Sequence, residues 1–142
     1  MKFCYVSKTL PPSGDSRNKI DFIHKCFFNT HEYKVFQMLV KDAFLESELA
    51  KQLPEPFEGD VEFEYTICPA RAKTDLDNFA KSMLDSAVRA GIIKDDSQVT
   101  KILATKCLKC RDLKKDKKCK FAFHCTLRLL ASEPFLYPCI SS

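Results

Sequence analysis

Between Val61 and Gly91 the spacing of the apolar residues changes once, and this change limits the folds that are open to the chain. Apolar and polar residues alternate over residues 61–67, which is typical of a β-strand with one buried face. Over residues 76–90 the apolar residues recur at helical spacing, and Gly91 follows where a helix commonly ends. A strand followed by an amphipathic helix predicts a domain in which helices cover a sheet.

The remaining segments predict further strands and one more helix. Strands are expected at residues 2–7, 20–28, 98–107 and 119–130. The last two would form a hairpin joined by a lysine-rich turn. Asn29 and Glu32 have the spacing of a capping box, and the apolar residues behind them predict a helix as far as about Lys51. The sequence therefore predicts an α+β fold, a small mixed β-sheet with two helices, in which residues 1–142 form a single domain.

Hydropathy and charge exclude some classes of protein and favour others. No apolar run approaches membrane-spanning length, and no apolar signal-peptide core follows Met1, so a cytoplasmic protein with no membrane partner is expected. Nine Lys or Arg residues against two Asp give residues 101–120 a charge of +7, while the whole chain carries +4. This basic segment predicts either a local anion-binding surface or a solvated turn kept soluble by lysine.

Carboxylates gather at both ends of the second predicted helix. Asp75 and Asp77 stand at its head, Lys81 follows one turn later, and Asp95 and Asp96 lie just past its end. Three or more carboxylates beside basic residues form an oxygen cage for a hard divalent cation. Mg²⁺ prefers such a ligand set, with water and substrate phosphate completing its shell. The pattern therefore favours metal-dependent chemistry on a phosphodiester.

Taken singly, each of these residues also has an ordinary structural explanation. Asp75 and Asp77 could complement the helix dipole, each contributing about 0.3–1 kcal/mol. Lys81 could form an ion pair with Asp77, four residues earlier on the helix. Asp95 and Asp96 could simply form a polar turn. For each residue taken alone, the structural explanation is favoured over a metal site.

The acidic residues belong to a longer pattern. Arg71 and Lys73 precede Asp75-Leu76-Asp77-Asn78, Lys81 stands four residues after the second aspartate, and Asp95-Asp96 follows the helix. Near the N-terminus, Leu10-Pro11-Pro12-Ser13 adds a Pro-Pro-Ser element. In order and spacing, this pattern resembles the RusA family of Holliday-junction resolvases. Taken together with this resemblance, the acidic residues and Lys81 favour a metal site over the separate structural explanations.

The resemblance implies a RusA-like fold and a crossover junction endodeoxyribonuclease that acts in DNA recombination and repair. Such an enzyme makes paired symmetric phosphodiester cuts in four-way junctions. The resemblance also implies that Asp75, Asp77, Lys81 and Asp96 are catalytic, with the three aspartates as ligands of Mg²⁺, for which Mn²⁺ is expected to substitute. Because a four-way junction has approximate two-fold symmetry, a homodimer with two sites is expected.

The basic residues are expected to contact DNA phosphates, which gives affinity without sequence information. Arg71 and Lys73 would contact phosphates that flank the cleaved bond. A second DNA arm would be contacted by Lys114, Lys115, Lys117 and Lys118. Two other functions stay open at this point. The chain could be a non-catalytic nucleic-acid-binding module that uses its lysines alone, or a nuclease of the same chemistry that acts on flaps or other branched DNA.

The chain has eight cysteines, which are expected to be reduced thiols because no export signal is present. Cys107, Cys110 and Cys119, followed by His124 or Cys125, have the spacing of a zinc knuckle. Against this, Cys125 falls on the apolar face of the last predicted strand, and the RusA family does not require zinc there. Structural zinc at Cys107, Cys110 and Cys119 is therefore not expected.

Overall fold

A computed structural model describes residues 1–12, 18–21, 26–29, 31–69, 76–107 and 119–130. Its strands are β1 (Lys2–Ser7), β2 (Asn18–Asp21), β3 (Cys26–Asn29), β4 (Val61–Ile67), β5 (Val99–Lys106) and β6 (Phe123–Leu129). Its α-helices are α1 (His31–Glu46), α2 (Glu48–Gln52) and α3 (Ala80–Ala90), and two 3₁₀ turns lie at Leu76–Phe79 and Asp96–Gln98. The predicted α+β fold class is confirmed. None of the helices in these ranges has the length and apolar character needed to cross a membrane.

Four strands form a mixed main sheet in the order β1-β6-β4-β5. β6 runs antiparallel to both of its neighbours, whereas β4 and β5 run parallel. Parallel neighbours need a connection that returns the chain to the starting end of the second strand. The Leu76–Phe79 turn and α3 lie on that connection. The acidic motif, which comprises Asp75, Asp77, Lys81, Asp95 and Asp96, is therefore part of the crossover between two strands.

One face of the main sheet carries the hydrophobic core. Every second residue of β4 (Val61, Phe63, Tyr65 and Ile67) is at most 2% exposed. Helix α1 contributes aromatic side chains, and the ring of Phe44 meets that of Phe3 edge to face at 5.9 Å between centroids. Met83 and Ala87 of α3 are fully buried in the same cluster. The two long helices are therefore anchored to the sheet through alternate positions of its strands.

The opposite face of the main sheet carries charged residues. Glu62 of β4 pairs with Lys101 of β5 at 3.8 Å, and Glu64 of β4 pairs with Arg128 of β6. These side chains are partly exposed, so the pairs contribute little to stability, at most about 1 kcal/mol each. The alternation of apolar and charged residues in β4 thus matches a sheet with one dry and one solvated face.

The strand predicted at residues 20–28 is wrong in detail. This range contains parts of β2 and β3, which pair with each other antiparallel and place Asn18 opposite Asn29. The sequence between them has neither glycine nor proline, so nothing marks a change of direction. Asn29 therefore belongs to β3, and because α1 begins at His31, Asn29 is not in the position directly before the helix.

The helix predicted to continue to about Lys51 is interrupted at Ser47. The Ser47 hydroxyl donates a hydrogen bond to the Phe44 carbonyl oxygen at 2.6 Å, and a new helix, α2, begins at Glu48. A serine side chain competes with the backbone for helix carbonyls, which explains the break. Apolar spacing continues across Ser47, and for that reason the pattern alone does not reveal it.

The predicted hairpin of the last two strands is also wrong, because β4 lies between β5 and β6. In the main sheet Phe123 stands opposite Ile67, and Leu127 stands opposite Phe63. All four of these side chains are fully buried. Most residues of β5 are exposed, so a hairpin with β5 would give β6 fewer apolar neighbours. Burial of the apolar face of β6 therefore favours pairing with β4.

The turn after α3 is joined to the segment before β4 by an isolated β-bridge between Phe57 and Ile93 and by one amide side chain. Gly91 ends α3 with a positive φ of 84°, a conformation that glycine adopts without strain. Further on, the Oε1 atom of Gln98 accepts hydrogen bonds from the backbone N–H groups of Lys94 and Asp95 at 2.9 and 2.8 Å. Its Nε2 atom donates to the carbonyl oxygens of Phe57 and Gly59, both at 2.8 Å. All four hydrogen-bonding positions of the amide are thereby used.

Replacing Gln98 with alanine should therefore lower the free energy of unfolding by roughly 2 kcal/mol, because four hydrogen bonds are lost and two partly buried carbonyls lose a donor. Urea denaturation followed by circular dichroism measures this. Gln52→Ala, at an exposed position of α2, serves as the matched control and should change stability only slightly. Equal stability of both variants would show that the amide does not hold the turn.

Candidate functional site

The acidic motif is anchored to the main sheet where the Leu76–Phe79 turn begins. The Tyr65 hydroxyl donates a hydrogen bond to the Leu76 carbonyl oxygen, with 2.5 Å between the oxygens. Burial raises the pKa of Tyr65, and the negative charge of Asp77 raises it further. The phenol therefore stays protonated and remains a donor at neutral pH. A buried tyrosine of β4 thus holds the backbone next to Asp77.

Lys81 brings together two carboxylates from different parts of the chain. Its Nζ atom lies 2.5 Å from Oδ2 of Asp96 and 3.1 Å from Oδ1 of Asp85. Hydrogen bonds to Asp96 first, and then to Asp85, raise the pKa of Lys81 above its ordinary value. The ammonium group is therefore charged at neutral pH, and it lies between two acids that α3 and the following turn present.

The contacts of Asp85 extend this arrangement to α1. Its Oδ2 atom accepts a hydrogen bond from the Tyr33 hydroxyl at 3.1 Å. A series of contacts from Tyr33 through Asp85 and Lys81 to Asp96 therefore links α1, α3 and the Asp96–Gln98 turn. Tyr33 is not recognisable as a site residue from the sequence, because its helical spacing marks a core position, and it is indeed 4% exposed. Only the packing of α1 against α3 reveals where its hydroxyl group lies.

The neighbouring residues Asp95 and Asp96 have different surroundings. The Asp95 carboxylate accepts hydrogen bonds from the Ser97 hydroxyl and from the Ser97 backbone N–H, the latter at 3.2 Å, and it forms a capping box with Gln98. The hydrogen bonds from Ser97 lower the pKa of Asp95. Asp95 thus has the ordinary role of a turn residue, and the turn that it stabilises presents Asp96 to Lys81.

The alternative ion pair between Lys81 and Asp77 does not occur in the described part of the chain. Residues 76–79 form a 3₁₀ turn, so Asp77 precedes the α-helix. Four-residue spacing therefore does not bring the two side chains together on an α-helical face. Lys81 pairs instead with Asp85, which lies four residues later within α3.

The Pro-Pro element of the N-terminal segment lies against α3. The hydroxyl of Ser82, the residue after Lys81, donates a hydrogen bond to the Pro12 carbonyl oxygen. Ser82 is fully buried, and Leu10 packs against the core cluster. Two elements of the family pattern that lie far apart in the sequence are therefore in contact in the fold.

Asp77 and Asp96 offer the hard oxygen ligands that fit a divalent cation such as Mg²⁺. Asp77 is exposed and has no ion-pair partner among the described residues, and the Asp96 side chain is 34% exposed. Water therefore reaches both carboxylates. Asp75, the third predicted ligand, lies outside the described residues. The predicted DNA contacts Arg71, Lys73, Lys114, Lys115, Lys117 and Lys118 also lie outside them.

The family model described as Endodeoxyribonuclease RusA matches residues 9–114. This range covers both the Pro-Pro element and the whole acidic motif. The chain belongs to the RusA family. RusA membership implies Holliday-junction-resolving endonuclease activity on branched DNA, and RusA nucleases generally depend on a divalent metal. No similar sequence was found among curated proteins.

Replacing Tyr65 with phenylalanine should lower the cleavage rate of the enzyme much more than it lowers the stability of the fold. Loss of the hydrogen bond to Leu76 should cost about 1 kcal/mol of folding free energy. Cleavage of a four-way junction should fall on the order of tenfold or more, because the backbone beside Asp77 loses its anchor.

Tyr5→Phe is the matched control, because it removes a phenol hydroxyl from β1 that does not contact the motif. Its cleavage rate should equal that of the wild type. The two effects are measured by thermal denaturation and by single-turnover cleavage at saturating metal. A Tyr65→Phe enzyme with an unchanged rate would contradict the anchoring role.

Proposed function

We propose that this RusA-family protein resolves Holliday junctions by Mg²⁺-dependent, paired symmetric cuts in DNA recombination and repair. The contact between Lys81 and Asp96 carries the proposal. These residues are 15 positions apart and belong to separate elements of the family pattern, yet their charged atoms lie 2.5 Å apart. A purely structural set of helix-end acids would not need a lysine that joins the helix to the turn beyond it.

The proposed ligands of the metal are Asp75, Asp77 and Asp96. Bound there, Mg²⁺ would help to deprotonate the attacking water, neutralise charge on the phosphate and stabilise the leaving alkoxide. Two of these carboxylates are positioned by hydrogen bonds elsewhere in the chain: the Tyr65 hydroxyl holds the backbone before Asp77, and the Asp95 cap holds the turn that carries Asp96. The proposed site is thus assembled by hydrogen bonds that are distinct from its metal ligands.

Lys81 is proposed to stabilise negative charge on the scissile phosphate. Its raised pKa keeps it protonated at neutral pH, so it acts as a hydrogen-bond donor and cation and not as a general base. Asp85 also contacts the ammonium group, and the Tyr33 hydroxyl donates a hydrogen bond to Asp85. This support limits the directions in which a long and otherwise flexible side chain can point.

The topology of the main sheet supports a DNA-binding surface beside the acids. Because β4 and β5 are parallel, the segments that follow them leave from the same edge of the sheet. Arg71 and Lys73 belong to the first segment and the four lysines at 114, 115, 117 and 118 to the second. We propose that both segments contact phosphates of a branched DNA, and that two protomers form a C2 homodimer to make the two matched cuts.

Asp77→Asn should abolish cleavage and leave the fold intact. Loss of a metal ligand should lower the rate on the order of a thousandfold or more. Stability should change by no more than about 1 kcal/mol, as for a residue at a helix end. The measurement is Mg²⁺-dependent nicking of a synthetic four-way junction beside linear duplex of the same sequence.

Asp42→Asn, an exposed change on α1, is the matched control and should cut as the wild type does. Paired symmetric nicks confined to the junction would support the resolvase. Equal nicking of flaps or forks would favour a nuclease for other branched DNA. Tight junction binding without any metal-dependent cut would leave a binding module, in which the acids are structural.

Changing Lys114, Lys115, Lys117 and Lys118 together to glutamine should flatten the salt dependence of junction binding by roughly 0.9 log unit for each lost phosphate contact. A control with the same charge change replaces the exposed lysines Lys2, Lys34, Lys41 and Lys51. Fluorescence anisotropy at several salt concentrations gives both slopes. If the two quadruple variants have the same slope, these four lysines form only a solvated turn.

A further inference from the structure

Three cysteines from separate segments meet at one edge of the main sheet. Cys68 directly follows β4, Cys107 directly follows β5, and Cys119 lies shortly before β6. Their sulfur atoms all lie within 4.8 Å of one another, and the Sγ atoms of Cys107 and Cys119 are 3.7 Å apart. Within the ranges that the structure describes, no other three His, Cys, Asp or Glu side chains come together in this way.

The pairing of the strands explains why these cysteines converge. Ile67 and Lys106, which end the parallel strands β4 and β5, stand side by side. β6 runs the other way and starts at the same edge, with Phe123 opposite Ile67. Backbone hydrogen bonds continue past the strand ends, from the Cys68 N–H to the Ala122 carbonyl oxygen at 2.7 Å and from the Cys107 N–H to the Ile67 carbonyl oxygen at 2.8 Å. Two of the cysteines are thus held by the backbone of the sheet.

We propose that Cys68, Cys107 and Cys119 bind a zinc ion as thiolates. A tetrahedral zinc with Zn–S bonds of about 2.3 Å places its sulfur ligands about 3.8 Å apart. The separation of 3.7 Å between Cys107 and Cys119 agrees with this distance. It is far longer than the S–S bond of a disulfide, which is about 2.05 Å. The fourth ligand position is open to water or to a further donor.

The type of ligand and the local charge both favour zinc. Thiolates are soft ligands that select zinc over Mg²⁺, so this site and the proposed carboxylate site would not compete for one metal. Three thiolates and one Zn²⁺ leave a single negative charge. Residues 101–120, which contain two of the ligands, carry a charge of +7, opposite in sign to that of the zinc site.

This ligand set differs from the knuckle that the cysteine spacing suggests. Cys125 is 2% exposed and faces the core, and burial raises the pKa of its thiol, so it does not offer a thiolate. His124 is exposed, on the other face of β6. Cys68 takes part instead, although it is remote from the other two ligands in the sequence.

A metal at this edge would join the starts of the two segments that carry the proposed DNA contacts. Cys68 lies three residues before Arg71, and Cys107 precedes the lysine-rich segment, which contains the lysines at 114, 115, 117 and 118. This consequence for DNA binding rests on the proposed function, whereas the metal site itself rests only on the arrangement of the cysteines. Zinc content is therefore the primary measurement, because it is independent of nuclease activity.

The test is zinc content by elemental mass spectrometry, on full-length protein purified under reducing conditions without chelator. Wild type should contain about one zinc per chain, whereas Cys68→Ser and Cys119→Ser should contain almost none. Cys4→Ser, an exposed change on β1, is the matched control and should keep its zinc. Asp77→Asn should also keep it, which separates this proposal from that of the nuclease site.

Because a cysteine variant could fail to fold, a second measurement uses the wild type alone. Metal-free protein, prepared with a chelator that is then removed, is titrated with Co²⁺. It should show the thiolate charge-transfer band and the strong d–d absorption of a tetrahedral site, and zinc should displace the cobalt. Removal of zinc should lower Tm by several degrees, and adding zinc back should restore it.

Two results would overturn the proposal. One is a wild-type protein that holds less than about half a zinc per chain and gives no tetrahedral cobalt spectrum. The other is zinc that persists in a folded Cys68→Ser protein but is lost in Cys110→Ser, because the metal would then belong to a knuckle within the lysine-rich segment.

Discussion

Two neighbouring strands can run parallel only when the chain between them returns to the end of the sheet at which the first strand began. Between β4 and β5 the chain returns through α3. This constraint places the acidic motif on the connection and the ends of both strands side by side. Groups that follow the carboxyl ends of neighbouring parallel strands converge at one edge, where open sheets commonly bind ligands. Asp77 and the two cysteines at the strand ends, Cys68 and Cys107, owe their places to this single pairing.

Stability and site geometry come from different interactions in this fold. The buried faces of β4 and β6, together with the core side chains of β1, α1 and α3, supply the hydrophobic free energy. The Lys81 contacts are partly exposed, and pairs of that kind are worth at most about 1 kcal/mol each. These contacts matter for geometry, because they fix the position of α3 relative to the turn that carries Asp96. The Tyr65 hydroxyl and the Gln98 amide also orient the two ends of the motif, and both add to stability as well.

The sequence was most informative where a residue's neighbours in the chain are also its neighbours in space. The strand at residues 61–67 and the helix that ends at Gly91 follow from local periodicity, and the Asp95–Gln98 spacing contains a capping-box signal that could have distinguished Asp95 from Asp96. Pairing between remote segments was not accessible in the same way. Alternation in β6 shows which face is buried but not which strand lies beside it, and nothing local associates Cys68 with Cys119.

The position of β4 between β5 and β6 also limits how the chain can change in length. From the end of β5 to the start of β6 the chain must cross two strand spacings, roughly 10 Å in all. Three or four extended residues, at about 3.3 Å each, would cover that distance. The connection comprises residues 107–122, far more than geometry requires. Insertions and deletions within its middle would therefore leave the sheet paired, so related chains can differ in the length of this proposed DNA-contacting segment without refolding.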